Sequence, residues 1–120
     1  MKVAVASQGT YLTSNVDPRF GIARFFIVVN TETGRFATHD NTQHLGVAQG
    51  AGIQTAQKVV SLNVHAAIAG NVGPKAFTTL QAGNVKTYIG ATGLVSRTVE
   101  QFKAGLLKCA SKPNVKGHWL

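Results

Sequence analysis

The sequence predicts an α/β domain on a five-stranded mixed sheet, with helices on its faces and the order β-β-β-α-β-α-β-α. Three observations carry this expectation. The first 41 residues hold three short β-rich segments separated by turn residues. After a loop from Thr42 to Gly50 the apolar spacing changes to the helical period. From there short apolar runs alternate with amphipathic stretches, the pattern of crossover connections.

Lys2 to Ser7 reads as a Val- and Ala-rich first strand, and Gln8 to Gly21 as a polar loop broken by Gly9, Asn15, Asp17 and Pro18. Phe25-Phe26-Ile27-Val28-Val29 is a β-branched and aromatic strand. Asn30 to Gly34 makes a turn, and Arg35 to Asn41 returns antiparallel. Ile53, Ala56 and Val60 sit at helical spacing, closed by Leu62 and Asn63. Ala66 to Ala69 is a continuous apolar run, as in a strand covered on both faces. Pro74 suits the first position of a helix carrying Ala76, Phe77 and Leu80, which Gly83-Asn84 stops. Val85 to Ile89 is the fifth strand, and Val95, Val99, Phe102 and Leu106 mark one face of the last helix. Residues 1–110 form one domain; 111–120, with Pro113 and Gly117, form an irregular tail.

A chain of 120 residues has room for a single core, and an apolar fraction of 44% argues against disorder. No apolar run approaches the ~18–20 residues of a membrane span, so no membrane partner is expected. The lone Cys109 cannot form an internal disulfide, which agrees with a reducing, cytoplasmic location. Twelve Lys and Arg against four acids give a net charge of +8. That excess favours an anionic partner, whether nucleic acid, an acidic protein or a small, highly charged anion.

Strand parity says where such an anion would sit. Strands one, three, four and five should run the same way, so their carboxyl ends share one edge. That edge gathers residues 8–24, 39–52, 70–75 and 90–94. Three helix N-termini should point toward it with their partial positive charge. Gly50-Ala51-Gly52 and Gly70-Asn71-Val72-Gly73 can bring bare amides close to an anion, and Arg19, Arg24 and Lys75 can add formal charge. There is no G-K-[ST] and no G-x-G-x-x-G after the first strand, so neither nucleotide fingerprint is present.

Several blocks resemble a known family. Lys2 to Ala6, Val16-Asp17-Pro18-Arg19-Phe20-Gly21 and Phe25 to Val28 resemble its opening. Gly50-Ala51-Gly52, Ile68 through Phe77 and Thr92 to Val95 resemble the rest, over about residues 1–108 in all. The chain is thereby similar to the dinitrogenase iron–molybdenum cofactor biosynthesis family. Asn30, Asn41-Thr42 and His65 depart from its pattern. The resemblance implies a ribonuclease H-like fold and non-covalent carriage of an anionic metal–sulfur cluster in assembly or delivery. The cargo would be a molybdenum–copper sulfide cluster or one like the iron–molybdenum cofactor, handed to an acceptor or assembly protein. Arg19, Phe20, Gly21, Arg24, Gly50, Ala51, Gly52, Asn71, Val72, Gly73 and Lys75 would form the cradle, in a partly apolar cleft around Phe20 and Val72.

His39 and His44 lie near this edge and could contact a metal or a cluster sulfide; their spacing is no zinc signature. His65 belongs to the opposite edge, His118 and Trp119 to the tail, and Cys109 to the end of the last helix, where packing is its expected role. Catalysis has little support. A two-metal nuclease needs carboxylates starting on the first strand, which here reads Val3-Ala4-Val5-Ala6-Ser7, and no Ser or Cys stands in a nucleophile elbow. The alternative to a carrier is a basic nucleic-acid-binding module, for which exposed aromatics are few.

Overall fold

Short runs rich in β-branched and small apolar residues build most of the sheet, and stretches at helical spacing cover it. A computed structural model of the chain describes residues 1–41 and 51–115. In chain order they form β1 (Lys2–Ser7), β2 (Phe25–Asn30), β3 (Phe36–Asp40), α1 (Ala51–Ser61), β4 (Ala66–Ile68), α2 (Pro74–Ala82), β5 (Lys86–Ile89), α3 (Val95–Lys103) and β6 (Lys108–Cys109). The spatial order is β3-β2-β1-β4-β5-β6. β2 is antiparallel to β1 and β3, whereas β4 and β5 run parallel to β1. The carboxyl ends of β1, β3, β4 and β5 therefore share one edge, as strand parity requires.

The sheet has six strands among the described residues, not five. β6 pairs antiparallel with β5 through Tyr88↔Cys109 and Ile89↔Lys108. Two residues carry no periodicity, so this strand is invisible to pattern reading. It exists because α3 stops early. Gly105 takes φ +73°, its N–H donates to the Phe102 carbonyl (3.1 Å), and the Leu106 N–H donates to Gln101 (2.9 Å). This is a Schellman closure, which turns the chain back toward β5. Leu106, expected on the inner face of the helix, instead lies beyond it and is 74% exposed. Asn63 and Asn84, at φ 57° and 60°, close α1 and α2 in the left-handed conformation that asparagine tolerates.

Each sheet face has its own core. Ala4, Ala6, Phe26, Val28 and Ala67 meet Ala56 and Val59 of α1 and Ala76, Phe77 and Leu80 of α2. On the other face Val3, Val5, Ile27, Val29, Ala66 and Ile68 meet Val95 and Val99 of α3. The buried stripe of α1 is Ala51, Thr55, Ala56 and Val59, rotated from the expected Ile53, Ala56 and Val60. Ile53 and Val60 are only half-buried. Thr55 turns inward because it has a polar partner there, described below. Among the described residues no helix is long and apolar enough to cross a membrane.

Candidate functional site

The long β1–β2 connection organises the carboxyl edge. It is stitched by single bridges to the end of β1 and to the loops that follow β4 and β5: Val16 to Ser7, Arg19 to Asn71 in parallel, and Asn15 to Leu94. The Asp17 N–H donates to Ala6 (2.8 Å), Val16 to Gly93 (2.8 Å) and Phe20 to Asn71 (3.1 Å). Arg19-Phe20-Gly21 is thus brought beside Gly70-Asn71-Val72, though some fifty residues separate them in sequence.

Gly70 makes that approach possible. A Cβ there would lie 2.8 Å from Pro18 Cα and 3.0 Å from Pro18 O, closer than backbone atoms tolerate. The sequence marks Asp17 as a turn residue and not as a site residue. It is 7% exposed, and its Oδ1 accepts the Arg19 N–H at 2.9 Å. The carboxylate folds the Asp17-Pro18-Arg19 turn locally and so sets where Arg19 leaves the loop. Asn71 fastens the same turn from the other side, donating from Nδ2 to Pro18 O at 2.9 Å.

A second buried network, also missed, anchors the end of the loop. Asn41 and Thr55 are fully buried. Asn41 Nδ2 donates to Ala23 O (2.9 Å) and Thr55 Oγ1 (3.1 Å), and the Thr55 hydroxyl donates to Gly21 O (2.8 Å). The Asn41 N–H adds a bond to Arg24 O at 2.8 Å. Gly21 to Arg24 is therefore tied to both β3 and α1. A threonine among the alanines and valines of α1 was the available signal.

The predicted residues divide into those the structure brings together and those it places elsewhere. Arg19, on the β1–β2 loop, and Lys75, in the first turn of α2, are exposed on this edge. Arg24 is exposed too, its guanidinium 5.9 Å from the centroid of the Phe25 ring. Among the described residues the ion pairs lie elsewhere, between the N-terminal ammonium and Glu32 and between Lys103 and Glu100. Phe20 and Val72 do not line a cleft. Each is 1% exposed and sits in the core, Phe20 edge-on to Phe26 with ring centroids 5.2 Å apart. Only their backbone is at the edge. Gly52 contacts α2, where an added Cβ would meet Ala76 Cβ at 3.6 Å, an ordinary contact. Ala51 is buried at the start of α1, and Gly21 is buried in the loop.

Not every helix N-terminus is open. In α3 the Val95 and Ser96 amides donate to Ser14 O and Leu12 O, both at 2.9 Å, so that positive end is already satisfied by the loop. The Gly90 and Ala91 amides are likewise taken, by Gly70 O and Ala69 O. At α2 the cap residue Gly73 supplies no side-chain bond and Pro74 occupies the first turn. Of α2 and α3, then, it is α2, beside Lys75, whose start has no side-chain cap.

His39 pairs with Phe26 in β3 and is half-buried on the face that α1 and α2 cover. Gly50 and His44, and His118 and Trp119, lie outside the described residues. Among the described residues no three His, Cys, Asp or Glu side chains are grouped as a metal site. His65 lies at the opposite edge, where its Nδ1 accepts the Lys2 N–H at 3.3 Å. Cys109 is exposed in β6 opposite Tyr88. Burial holds the Tyr88 phenol above its ordinary value of 10.0, and the neighbouring Cys109 adds to the effect. A groove of about 400 Å³ lies away from this edge, between α2 and β5, with Phe77, Gln81 and Thr87 in its lining.

Stitched loops, exposed cations and a helix start without a side-chain cap thus meet at one edge of the mixed sheet of a small α/β domain. This chain belongs to the dinitrogenase iron–molybdenum cofactor family, which it matches over residues 1–105. The structure of the apo form of the orange protein from Desulfovibrio gigas superposes with a TM-score of 0.92 at 37% identity, covering 95% of this chain and 96% of that one. A Thermotoga protein solved by NMR and described as a NifB candidate gives a TM-score of 0.82 at 37% identity, over 95% and 97% of the two chains. An uncharacterised protein of Methanocaldococcus jannaschii is 27% identical over 111 residues, 90% of each chain.

Proposed function

We propose that this protein binds and carries an anionic metal–sulfur cluster, held by hydrogen bonds and charge rather than by thiolate ligation. The family and the likeness to the orange protein support a cofactor-binding or carrier role. The observation that carries the finer reading is the junction of Arg19 with Asn71 to Lys75, where exposed cations meet the uncapped start of α2. Amides and cations of this kind suit sulfide-rich anions, and weak coordination permits release to an acceptor or assembly protein. The cargo we favour contains molybdenum, as a molybdenum–copper sulfide or a cluster like the iron–molybdenum cofactor.

We further assign the sheet to the ribonuclease H-like folds on its strand order and its one reversed inner strand. The role is carriage without catalysis, because β1 and β4 offer no carboxylate at the centre of the sheet. A cytoplasmic location fits the single free thiol.

Tetrathiomolybdate, with and without copper(I), is the direct probe. Apo-protein mixed with it should co-elute with molybdenum and a visible absorption band on gel filtration. The retained fraction should fall as salt rises from about 0.05 to about 0.5 M, since screening shortens the reach of Arg19 and Lys75. Molybdenum eluting wholly in the salt volume at low ionic strength would overturn the reading.

A further inference from the structure

The chain after β6 comes back to the edge just described. Ala110 donates its N–H to Thr87 O at 2.8 Å, and four residues later Asn114 reaches the Gly70–Gly73 loop. There Asn114 Oδ1 accepts the Val72 N–H at 2.8 Å, and its own N–H donates to Val72 O at 3.2 Å. Its Nδ2 donates to Asn71 Oδ1 at 3.1 Å and approaches Gly70 O at 3.5 Å. One exposed tail residue therefore engages three consecutive residues of the loop that opens α2.

The chemistry of this contact is that of a stand-in ligand. Val72 N–H is a backbone donor at the anion edge, and what it meets is a neutral carbonyl oxygen supplied by the protein. The hold is weak. It consists of a few hydrogen bonds at the surface, made by a segment outside any helix or strand. The tail's nearest regular anchor is the two-residue β6. A multiply charged sulfide accepts from an amide more strongly than a neutral amide oxygen does.

We infer that Asn114 is a built-in competitor: it occupies the Val72 amide while the edge is empty and is displaced when an anionic cluster binds. The inference rests on the carrier reading above and adds its regulation. Empty protein keeps its donor satisfied and its loop ordered. Loading frees the tail, so the loaded and empty forms differ in the surface they show a partner.

The test is Asn114→Ala in the full chain, titrated with tetrathiomolybdate alone and followed by visible absorbance. The alanine removes the bond that competes for the Val72 amide and two from Nδ2, so binding should tighten by at least roughly threefold, the lower worth of a single net hydrogen bond. In the ligand-free variant the Val72 amide should also exchange with solvent faster than in the parent. Equal or weaker binding by the variant overturns the inference alone, since the tail would then be inert or a wall of the site. Binding by neither protein overturns the carrier reading and the inference with it. Binding by the variant only supports both.

Discussion

Gly70 shows how a single residue can decide the site. Its N–H donates to Asp17 O at 3.4 Å, its carbonyl accepts from Gly90 at 2.9 Å, and it faces Pro18 with no space for a Cβ. Because the clash is with backbone, no side-chain rotamer relieves it. Gly70→Ala should cost about 1–3 kcal/mol, the usual range for overpacking, and should move the Arg19 turn away from Asn71. A lower urea midpoint with an unchanged slope is the expected measurement. A variant as stable as the parent would mean that the loop is not held against Gly70. The glycine was legible in the sequence, but its reason was not. It reads as a donor of open backbone to an anion, whereas its N–H goes to Asp17 O and its missing Cβ serves a loop crossing. Asp17 is legible as a turn residue, but not as a buried one: a lone acid beside Pro18 and Arg19 reads as surface charge until burial is known. The exposure of Arg19 and Lys75 is legible in the sequence, because a formal charge rarely leaves the surface without a partner.

The elements were read well wherever their pattern extends beyond one turn or four strand residues. β1, β2 and α2 fall where alternation, β-branching and Pro74 place them. α3 was read too long because Leu106 continues its apolar spacing. The closure at Gly105 depends on a backbone conformation that spacing does not encode. β6 follows from that closure, and its attachment has a titratable marker. Tyr88 of β5 packs edge-on to Phe102 of α3 with centroids 5.0 Å apart, and stands opposite Cys109 of β6. Burial, then Cys109, raises its ionisation above 10.0. The unfolded chain releases this proton first as pH rises. Tyr88 therefore subtracts nothing below pH 10.0 and destabilises the fold as pH climbs from there toward the raised value. Denaturation at about pH 9 and about pH 11 should show a larger loss for the parent than for Tyr88→Phe. Cys109→Ala should recover only part of the difference, because burial is the larger cause. Equal losses in parent and Tyr88→Phe would show that the phenol ionises as freely folded as unfolded.

Over the whole molecule, the two faces of the sheet separate the thiol from the cations. Cys109 shares the Tyr88 side of the sheet, where α3 packs, whereas Lys75 begins α2 on the opposite face. The sequence also set these groups apart, but by a long final helix that the structure shortens and follows with a strand. The separation now rests on strand register, a stronger ground, since paired residues put their side chains on the same face. Arg19 and Lys75 belong to neighbouring segments because the β1–β2 loop bridges to Asn71, four residues before Lys75. Both are exposed, so each acts through partly screened charge. Removing both, as Arg19→Gln with Lys75→Gln, should weaken tetrathiomolybdate binding about three- to thirtyfold and flatten its dependence on salt. Cys109→Ser should load as the parent does, with the same visible absorbance per protein. The two variants read opposite mechanisms in one assay. A colourless serine variant beside a fully coloured double variant would make the thiolate the anchor and the charged edge a bystander. Loss in the double variant with a normal urea midpoint places the effect in binding rather than folding, because neither cation makes an ion pair with a described residue.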